Sequence, residues 1–407
     1  MILYQYRYVI LVLTLLSLFG QTFAFPLSPS SKPISKPKPP PPIIACSSPA
    51  EVQRAISFYL KPNDCVLELG AQLSDTSRHL CRTVGEGGKV VMVDVKRKEA
   101  TTGRSSFRDT TCFIKADQNS STRTSNDNDS DSACDDESFI DRVQYEELEQ
   151  FDQWRSLAHR GQEKRKYQAM ILDVGTMIGN DLYLSALSLA NEFIANHQES
   201  PPRVIIVKSR TLSNLARRII HSQRLLDGSA ILPNDNDMER TDEPIVVPCV
   251  GVTDYRRTIP FLVKPGDDVI EVGCHFGRTT TLLHDAVNAD SGNGFCVGVD
   301  IGSKIITNAK KQYPHVMFEV VDAWKTLDLL KVKVKNGNDN FLGYDVVYAD
   351  IGGLSGAHGL LESLALLDAI AKALEPRSIV IKSLCVNRLA SQLVPFSVVW
   401  NKMATKD

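Results

Sequence analysis

The chain has 407 residues, 43% of them apolar and 23% charged, with a formal net charge of −2. That length holds two domains of ordinary size, each with its own core, and the composition is that of a globular rather than a fibrous or disordered chain. Four cations (Arg7, Lys32, Lys36, Lys38) and no acid precede Glu51, so the remainder carries about −6 and the basic footprint of a nucleic-acid-binding domain is absent.

Residues 1–24 read as a signal peptide, with one early cation at Arg7, an apolar run from Val9 to Phe19 and a small-residue exit at Thr22-Phe23-Ala24. The run is short for a membrane span, which favours cleavage over anchoring, and no transmembrane segment is expected in the mature chain. Residues 25–43 are Pro-, Ser- and Lys-rich and hold no acid, a composition that stays extended because it cannot bury a core. A signal peptide ending at Ala24-Phe25 before such a stretch resembles the bipartite plastid presequences of diatoms and related algae. The resemblance implies entry into the secretory pathway and onward delivery to a plastid. Plain secretion, or residence in an endomembrane lumen behind a Pro-rich spacer, is the alternative. The nine cysteines include no C-x-x-C and several fall inside apolar strand patterns. They read as buried thiols rather than as a disulfide framework or a zinc site, which suits a reducing compartment.

From Pro41 onward the chain is one unit written twice. A shift of 203 residues aligns Pro41–Leu80 with Pro244–Leu283 without a gap, and 13 of 40 positions are identical, among them Cys46/Cys249, Asp64/Asp267, Glu68/Glu271 and Gly70/Gly273. Asp94 then matches Asp300, Asp117 matches Asp322, Tyr167–Gly179 matches Tyr344–Gly356, and PRVIIVKS (202–209) matches PRSIVIKS (376–383). In both units short Val/Ile runs alternate with helical patterns, which predicts α/β architecture: two tandem doubly wound Rossmann-like domains with mainly parallel sheets. The second unit predicts strands near 269–272, 295–299, 316–321, 345–349 and 378–382, and helices near 253–263, 278–289, 303–312, 357–374 and 386–393. The first unit is expected over 44–226, a polar linker over 227–243, and the second unit over 244–407. Fifty positions separate Asp117 from Tyr167, but 22 separate Asp322 from Tyr344. The first unit therefore carries an acidic insertion, about 118–145, expected to be disordered. Its Asp127, Asp129 and Asp131 lack the glycine and the closing glutamate of a Ca²⁺ loop, and no metal site is expected.

The sharpest motif is VIEVGCHFG, Val269 to Gly277: an apolar run, the acid Glu271, then Gly273 and Gly277 ahead of a helix. Glycines suit a sharp turn with close backbone approach, and the full G-x-G-x-x-G of a dinucleotide loop is missing. With FCVGVD closing on Asp300 a strand later, the pattern resembles motif I and the following acid of the class I S-adenosylmethionine (SAM) methyltransferases. The resemblance implies SAM as cofactor, with Glu271, Gly273 and Gly277 under its methionine and ribose portions. It further implies Asp300 on the ribose hydroxyls and Asp322 at the adenine; a helix cap is the plain alternative for both acids. Asp350, at the end of the fourth strand, and Lys382, closing the apolar SIVIK, resemble part of the K-D-K-E tetrad of ribose 2′-O-methyltransferases. That implies Asp350 and Lys382 as catalytic residues, with Lys382 activating a hydroxyl; the alternative is a lysine that only neutralises Asp350. The tetrad's first lysine has no counterpart, since Arg256 and Arg257 occupy the preceding helix, and no terminal glutamate is evident.

The first unit keeps Glu68, Gly70, Asp94, Asp117, Asp173 and Lys208 but has Ser74 where the second has Gly277, so it is expected to be a degenerate partner. A SAM-dependent methyltransferase with its competent site in the second unit is the leading reading, the acceptor being RNA or a small molecule. The rivals are a non-catalytic tandem scaffold and a nucleotide-cofactor oxidoreductase. The two units are expected to pack together within the chain. Pro395–Trp400 is expected as a last strand. IIAC (43–46) and 245–249 either stay at the edges of their own units or exchange, 245–249 closing the first sheet and 43–46 the second, and the exchange is the arrangement expected.

Overall fold

The structure, a computed structural model, describes residues 39–70, 75–95, 143–148, 167–173, 183–196, 200–230, 243–335, 343–352, 354 and 359–404. The expected signal peptide, most of the expected presequence, most of the expected acidic insertion and linker, and Ser74 and Asp117 lie outside the described residues. None of the described helices is long and apolar enough to cross a membrane.

The first repeat runs β1 (Ile43–Cys46), α1 (Pro49–Tyr59), β2 (Cys65–Leu69), α2 (Asp75–Val84), β3 (Lys89–Val95), β4 (Val143–Leu148), β5 (Ala169–Leu172), α3 (Tyr183–Asn196), β6 (Val204–Lys208), α4 (Arg210–Arg218) and α5 (Ser222–Leu226). The second runs β7 (Ile245–Cys249), α6 (Val252–Arg257), α7 (Ile259–Leu262), β8 (Val269–Val272), α8 (Arg278–Val287), β9 (Cys296–Asp300), α9 (Ser303–Gln312), β10 (Met317–Val320), α10 (Thr326–Lys335), β11 (Val346–Ala349), α11 (Leu360–Leu374), β12 (Ser378–Lys382) and α12 (Leu384–Gln392). After it come β13 (Leu393–Pro395) and α13 (Phe396–Ala404).

Two sheets result, in the orders β13-β1-β6-β5-β2-β3-β4 and β10-β9-β8-β11-β12-β7. Every pairing is parallel. Apart from β13, strand order is the same in both, with the reversal of winding between β2 and β5 in one and between β8 and β11 in the other. These are two Rossmann-like, doubly wound sheets. Their central strands are buried on both faces, as VLEL, AMIL, VIEV and VVYA require.

The same side-chain tie braces each sheet. Arg377 forks onto Asp267 and also donates to the Leu262 carbonyl at 2.9 Å. Arg203 forks onto Asp64, at 2.7 and 3.1 Å, and donates to the Tyr59 carbonyl at 3.3 Å. Each aspartate also accepts the backbone N–H of the lysine three residues before it, Lys264 and Lys61. The 203-residue repeat thus carries over to individual hydrogen bonds.

One face of each sheet, with α3, α4, α10, α11 and α12, forms a single continuous core containing Leu67, Met170 and Ile205 from one repeat and Ile270, Val347 and Ile379 from the other. Helices α3 and α11, equivalent by the match of Tyr167 to Tyr344, pack against each other. Each repeat also reaches onto the other's edge strand. Ile219, just past α4, bridges Val246 of β7 in parallel, and the Ile220 N–H donates to the Val246 carbonyl at 2.8 Å. Leu393, just past α12, pairs with Ile43 of β1, followed by Val394 with Ile44 and Pro395 with Ala45. Leu393 is the repeat equivalent of Ile219, and Val246 that of Ile43. The joint is an isologous dimer interface drawn within one chain.

Three expectations are corrected. β1 does not close the second sheet: it pairs with β6 of its own repeat, and β7 pairs with β12 of its own. The segment that crosses over follows the helix after the last strand (α4 or α12) rather than preceding the first helix. Pro395–Trp400 is not a strand; Phe396 and Val399 lie one helical turn apart and are both buried, so the apolar run has helical rather than alternating phase. The position that β10 holds in the second sheet is held in the first by VQYEEL, which begins inside the segment assigned to the insertion. In addition, α10 was not anticipated, and the helix expected over 253–263 breaks at Thr258 ahead of Pro260.

Because Phe396 and Val399 pack among Ile44, Val52 and Ile56, they stabilise the first repeat although they follow the second. Phe396→Ala should cost about 3–5 kcal/mol. Hydrogen exchange should quicken first in 43–46 and 49–59; a loss of protection confined to β7–β12 would contradict this arrangement.

Candidate active site

At the carboxyl ends of β8, β9, β11 and β12, where the winding of the second sheet reverses, lies a cavity of about 690 Å³. This is the crevice in which open α/β sheets bind ligands. Its walls include Glu271, Gly273, Asp300, Asp350 and Lys382, five of the seven residues singled out in the sequence. Gly277 and Asp322 are not on the wall. Among the described residues no group of three or more His, Cys, Asp or Glu side chains is arranged to hold a metal ion.

The turn after β8 depends on its glycines for reasons internal to the fold. Gly273 has φ +82°, and a Cβ there would meet the Asp350 carbonyl oxygen at 2.1 Å. The absence of that Cβ lets the ends of β8 and β11 lie side by side. Gly277, also at φ +82°, would drive a Cβ to 2.4 Å from the Phe318 ring. Between them His275 takes φ +49°, a conformation uncommon for a residue with a side chain, and stands exposed on the cavity wall. Its N–H donates to Asp300 Oδ2 at 3.2 Å, while the Gly302 N–H donates to Oδ1 at 2.8 Å. Asp300 thus ties the glycine turn to the start of α9 and still faces the cavity.

Glu271 is 2% exposed. Thr280 on α8 donates to its Oε2 at 2.5 Å. In the first repeat Ser77 donates to Glu68 at 3.1 Å, the same pairing nine residues apart. Burial pushes the Glu271 carboxyl up to about 8; the Thr280 hydrogen bond and the Arg256 charge oppose the shift, and the Asp350 charge adds to it. At neutral pH Glu271 is therefore mostly a neutral acid.

Lys382 Nζ lies 2.5 Å from Oδ1 and 2.6 Å from Oδ2 of Asp350, a charge-assisted pair at the end of adjacent strands. Lys208 and Asp173 make the same pair at 2.7 Å in the first repeat. Asp322 is half-buried and turns inward on its own loop, Oδ1 accepting the Trp324 N–H at 3.1 Å ahead of α10. It has the geometry of an Asx turn that ends two residues short of the helix.

Sequence reasoning missed several wall residues. Arg256 reaches the cavity from α6 and donates from Nε to Thr279 at 3.0 Å. Val252, Phe276, Arg278, Gln312 and Tyr313 complete the lining with Cys274 and Gly352. The Glu-to-Ser/Thr spacing was readable from the repeat; the turn of α6 that selects Arg256 over Arg257 was not. None of the seven cysteines among the described residues forms a disulfide, and burial holds the Cys274 thiol far above its ordinary value.

No protein-family model matches the sequence, and no curated protein matches it. One solved structure similar to this chain is a TehB-like SAM-dependent methyltransferase from Corynebacterium glutamicum. It is 18% identical with a TM-score of 0.24, and the match covers 34% of this chain and 70% of that one. A likeness at that score carries no argument about function.

Two outcomes test this geometry. Glu271 holds its proton to higher pH when folded than when unfolded. Its contribution to stability is therefore fully present below about 4.5 and is lost as pH rises through about 8. Glu271→Gln should flatten the pH dependence of the melting temperature across that window, and parallel curves for variant and wild type would show that Glu271 is ionised throughout. Gly277→Ala should lose roughly 1–3 kcal/mol in urea unfolding without any ligand, and Phe318→Leu in the same chain should recover part of it.

Proposed function

We propose that this chain is a SAM-dependent methyltransferase whose competent site is the cavity of the second repeat. The observation that carries the reading is the convergence, in one crevice at the winding reversal, of the glycine turn with Glu271, Asp300 and the Asp350–Lys382 pair. Methyl transfer from a sulfonium is a displacement that asks a protein chiefly to position two reactants and exclude water. The residues fit that demand. Gly273 and the His275 backbone would cradle the methionine end, and Asp300 retains lone pairs for ribose hydroxyls beyond those its two backbone donors use. A neutral Glu271 beneath the turn adds no charge to the site.

In this reading Lys382 and Asp350 face the acceptor, and a hydroxyl, such as a ribose 2′-OH, is the acceptor group that a lysine at this position would activate. A second reading has one observation in its favour. Asp173 and Lys208 make the same pair in the first repeat, which is what a pair that only neutralises charge, as in a non-catalytic scaffold, would also give.

Isothermal titration of the full chain with SAM, NAD and NADP separates these readings. SAM alone should bind, with Asp300→Ala weakening it by about tenfold or more; binding of NAD or NADP in its place would overturn the proposal. With labelled SAM and a cell extract as acceptor source, Lys382→Met should slow transfer by roughly 10²–10⁴-fold at nearly unchanged SAM affinity if Lys382 acts as a base. Normal turnover with a lowered melting temperature would leave it a structural role.

A further inference from the structure

The repeat separates what the fold needs from what the cavity adds. Glu271, Gly273, Asp300, Asp350 and Lys382 all have identical counterparts in the first repeat, at Glu68, Gly70, Asp94, Asp173 and Lys208. The two arginines on the cavity wall do not: Arg256 stands where the first repeat has Gln53, and Arg278 where it has Asp75. The neighbouring Arg257, which the first repeat does share as Arg54, stays off the wall and lies 3.9 Å from Asp254.

The charges on the wall do not balance. Asp350 and Lys382 neutralise each other at 2.5–2.6 Å, which leaves one carboxylate, Asp300, held by two backbone N–H groups, against two arginines. Glu271 is mostly protonated at neutral pH. Among the described residues neither Arg256 nor Arg278 has a carboxylate partner, and Arg256 commits only its Nε, to the Thr279 hydroxyl. Two arginines on the wall of one cavity of about 690 Å³ are the side chains suited to a planar or tetrahedral oxyanion. SAM itself brings a carboxylate, an ammonium and a sulfonium, a net positive charge, so its entry would leave the cavity more cationic still.

Resting on the methyltransferase reading of this cavity, we infer that Arg256 and Arg278 form an anion-binding arm for the methyl acceptor, and that the acceptor is a small molecule bearing a carboxylate or phosphate. The oxyanion could come from either of two sources, the acceptor or the methionine carboxylate of SAM. The charge balance assigns it to the acceptor.

The test uses the full chain, with and without saturating S-adenosylhomocysteine, titrated with inorganic phosphate and with succinate at constant ionic strength. Wild type should bind at least one of them. Arg278→Gln and Arg256→Gln should each weaken that binding by about tenfold or more, while Arg257→Gln does not and affinity for S-adenosylhomocysteine changes by less than about threefold. Arg278 is exposed, so its variant keeps the comparison valid if Arg256→Gln fails to fold. Absence of anion binding by wild type, or equal binding by all three variants, would overturn the inference. Loss of S-adenosylhomocysteine affinity in the arginine variants would overturn it in favour of the cofactor carboxylate. A short oligoribonucleotide that binds far more tightly than phosphate, and only when both arginines are present, would replace the small acceptor with a nucleic acid. If S-adenosylhomocysteine does not bind wild type at all, the methyltransferase reading falls, and the phosphate and succinate comparison still decides whether the arginines hold an anion.

Discussion

A parallel sheet that stops leaves its edge strands with rows of unmet backbone groups, and at one end of each repeat's own sheet in this chain stands β1 or β7. Each is met by the stretch that follows the helix after the other repeat's last strand: Leu393–Pro395 on β1, and Ile219 with Ile220 on β7. The arrangement of the two repeats follows from this. With the edges engaged, α3 lies on α11, and the inner faces of both sheets join in one core rather than two. The halves are not interchangeable in extent. The strand on β1 is three residues long and carries a helix behind it, whereas the contact on β7 is a single bridge.

The correspondence between the halves also explains why the glycine turn is a weaker sign of ligand binding than its sequence suggests. Gly273 and Gly277 are fixed by contacts with the Asp350 backbone and the Phe318 ring, constraints that hold whether or not anything occupies the crevice. The same applies to the acid under the turn, which has a hydroxyl partner in both repeats, and to the strand-end Asp–Lys pair. Shared features define the frame, and differences between the repeats point to function.

Much of the second repeat was readable from residue pattern alone. The five strands predicted for it fall within a residue or two of their expected places, because runs such as VIEV, VVYA and SIVIK are buried on both faces and have no competing phase. The errors arose where an apolar run is short and its partner distant. PFSVVW has no polar residue to set its period except Ser397, and only the groove beside Ile44 and Ile56 selects the helix. Which edge β1 would join was likewise undetermined, since IIAC is apolar on both faces and fits either sheet. In the site, the acids and glycines were visible because they interrupt apolar strands. Arg256 was hidden because adjacent arginines on a helix differ only in the direction they face, and that is set by the packing of Tyr255 beneath them. Asp322 is a strand-end acid in the matching register whose Oδ1 is taken by the local turn and which is not on the cavity wall.

The pairing of Ile43 with Leu393 joins positions 350 residues apart. On a ribosome the first repeat emerges with every strand of its sheet except the one that seals its edge, and that strand is made only after the whole second repeat. At synthesis rates of about 5–20 residues per second, β1 waits for tens of seconds with an apolar, extended edge exposed. Contacts of such separation close late and make folding slow relative to the local βαβ units around them. The growing chain is thus committed to a period in which an open sheet must be kept from other open sheets. A chaperone that holds extended apolar segments is a natural companion of this topology, and premature termination between β12 and β13 would release a product that has its core but keeps the adhesive edge.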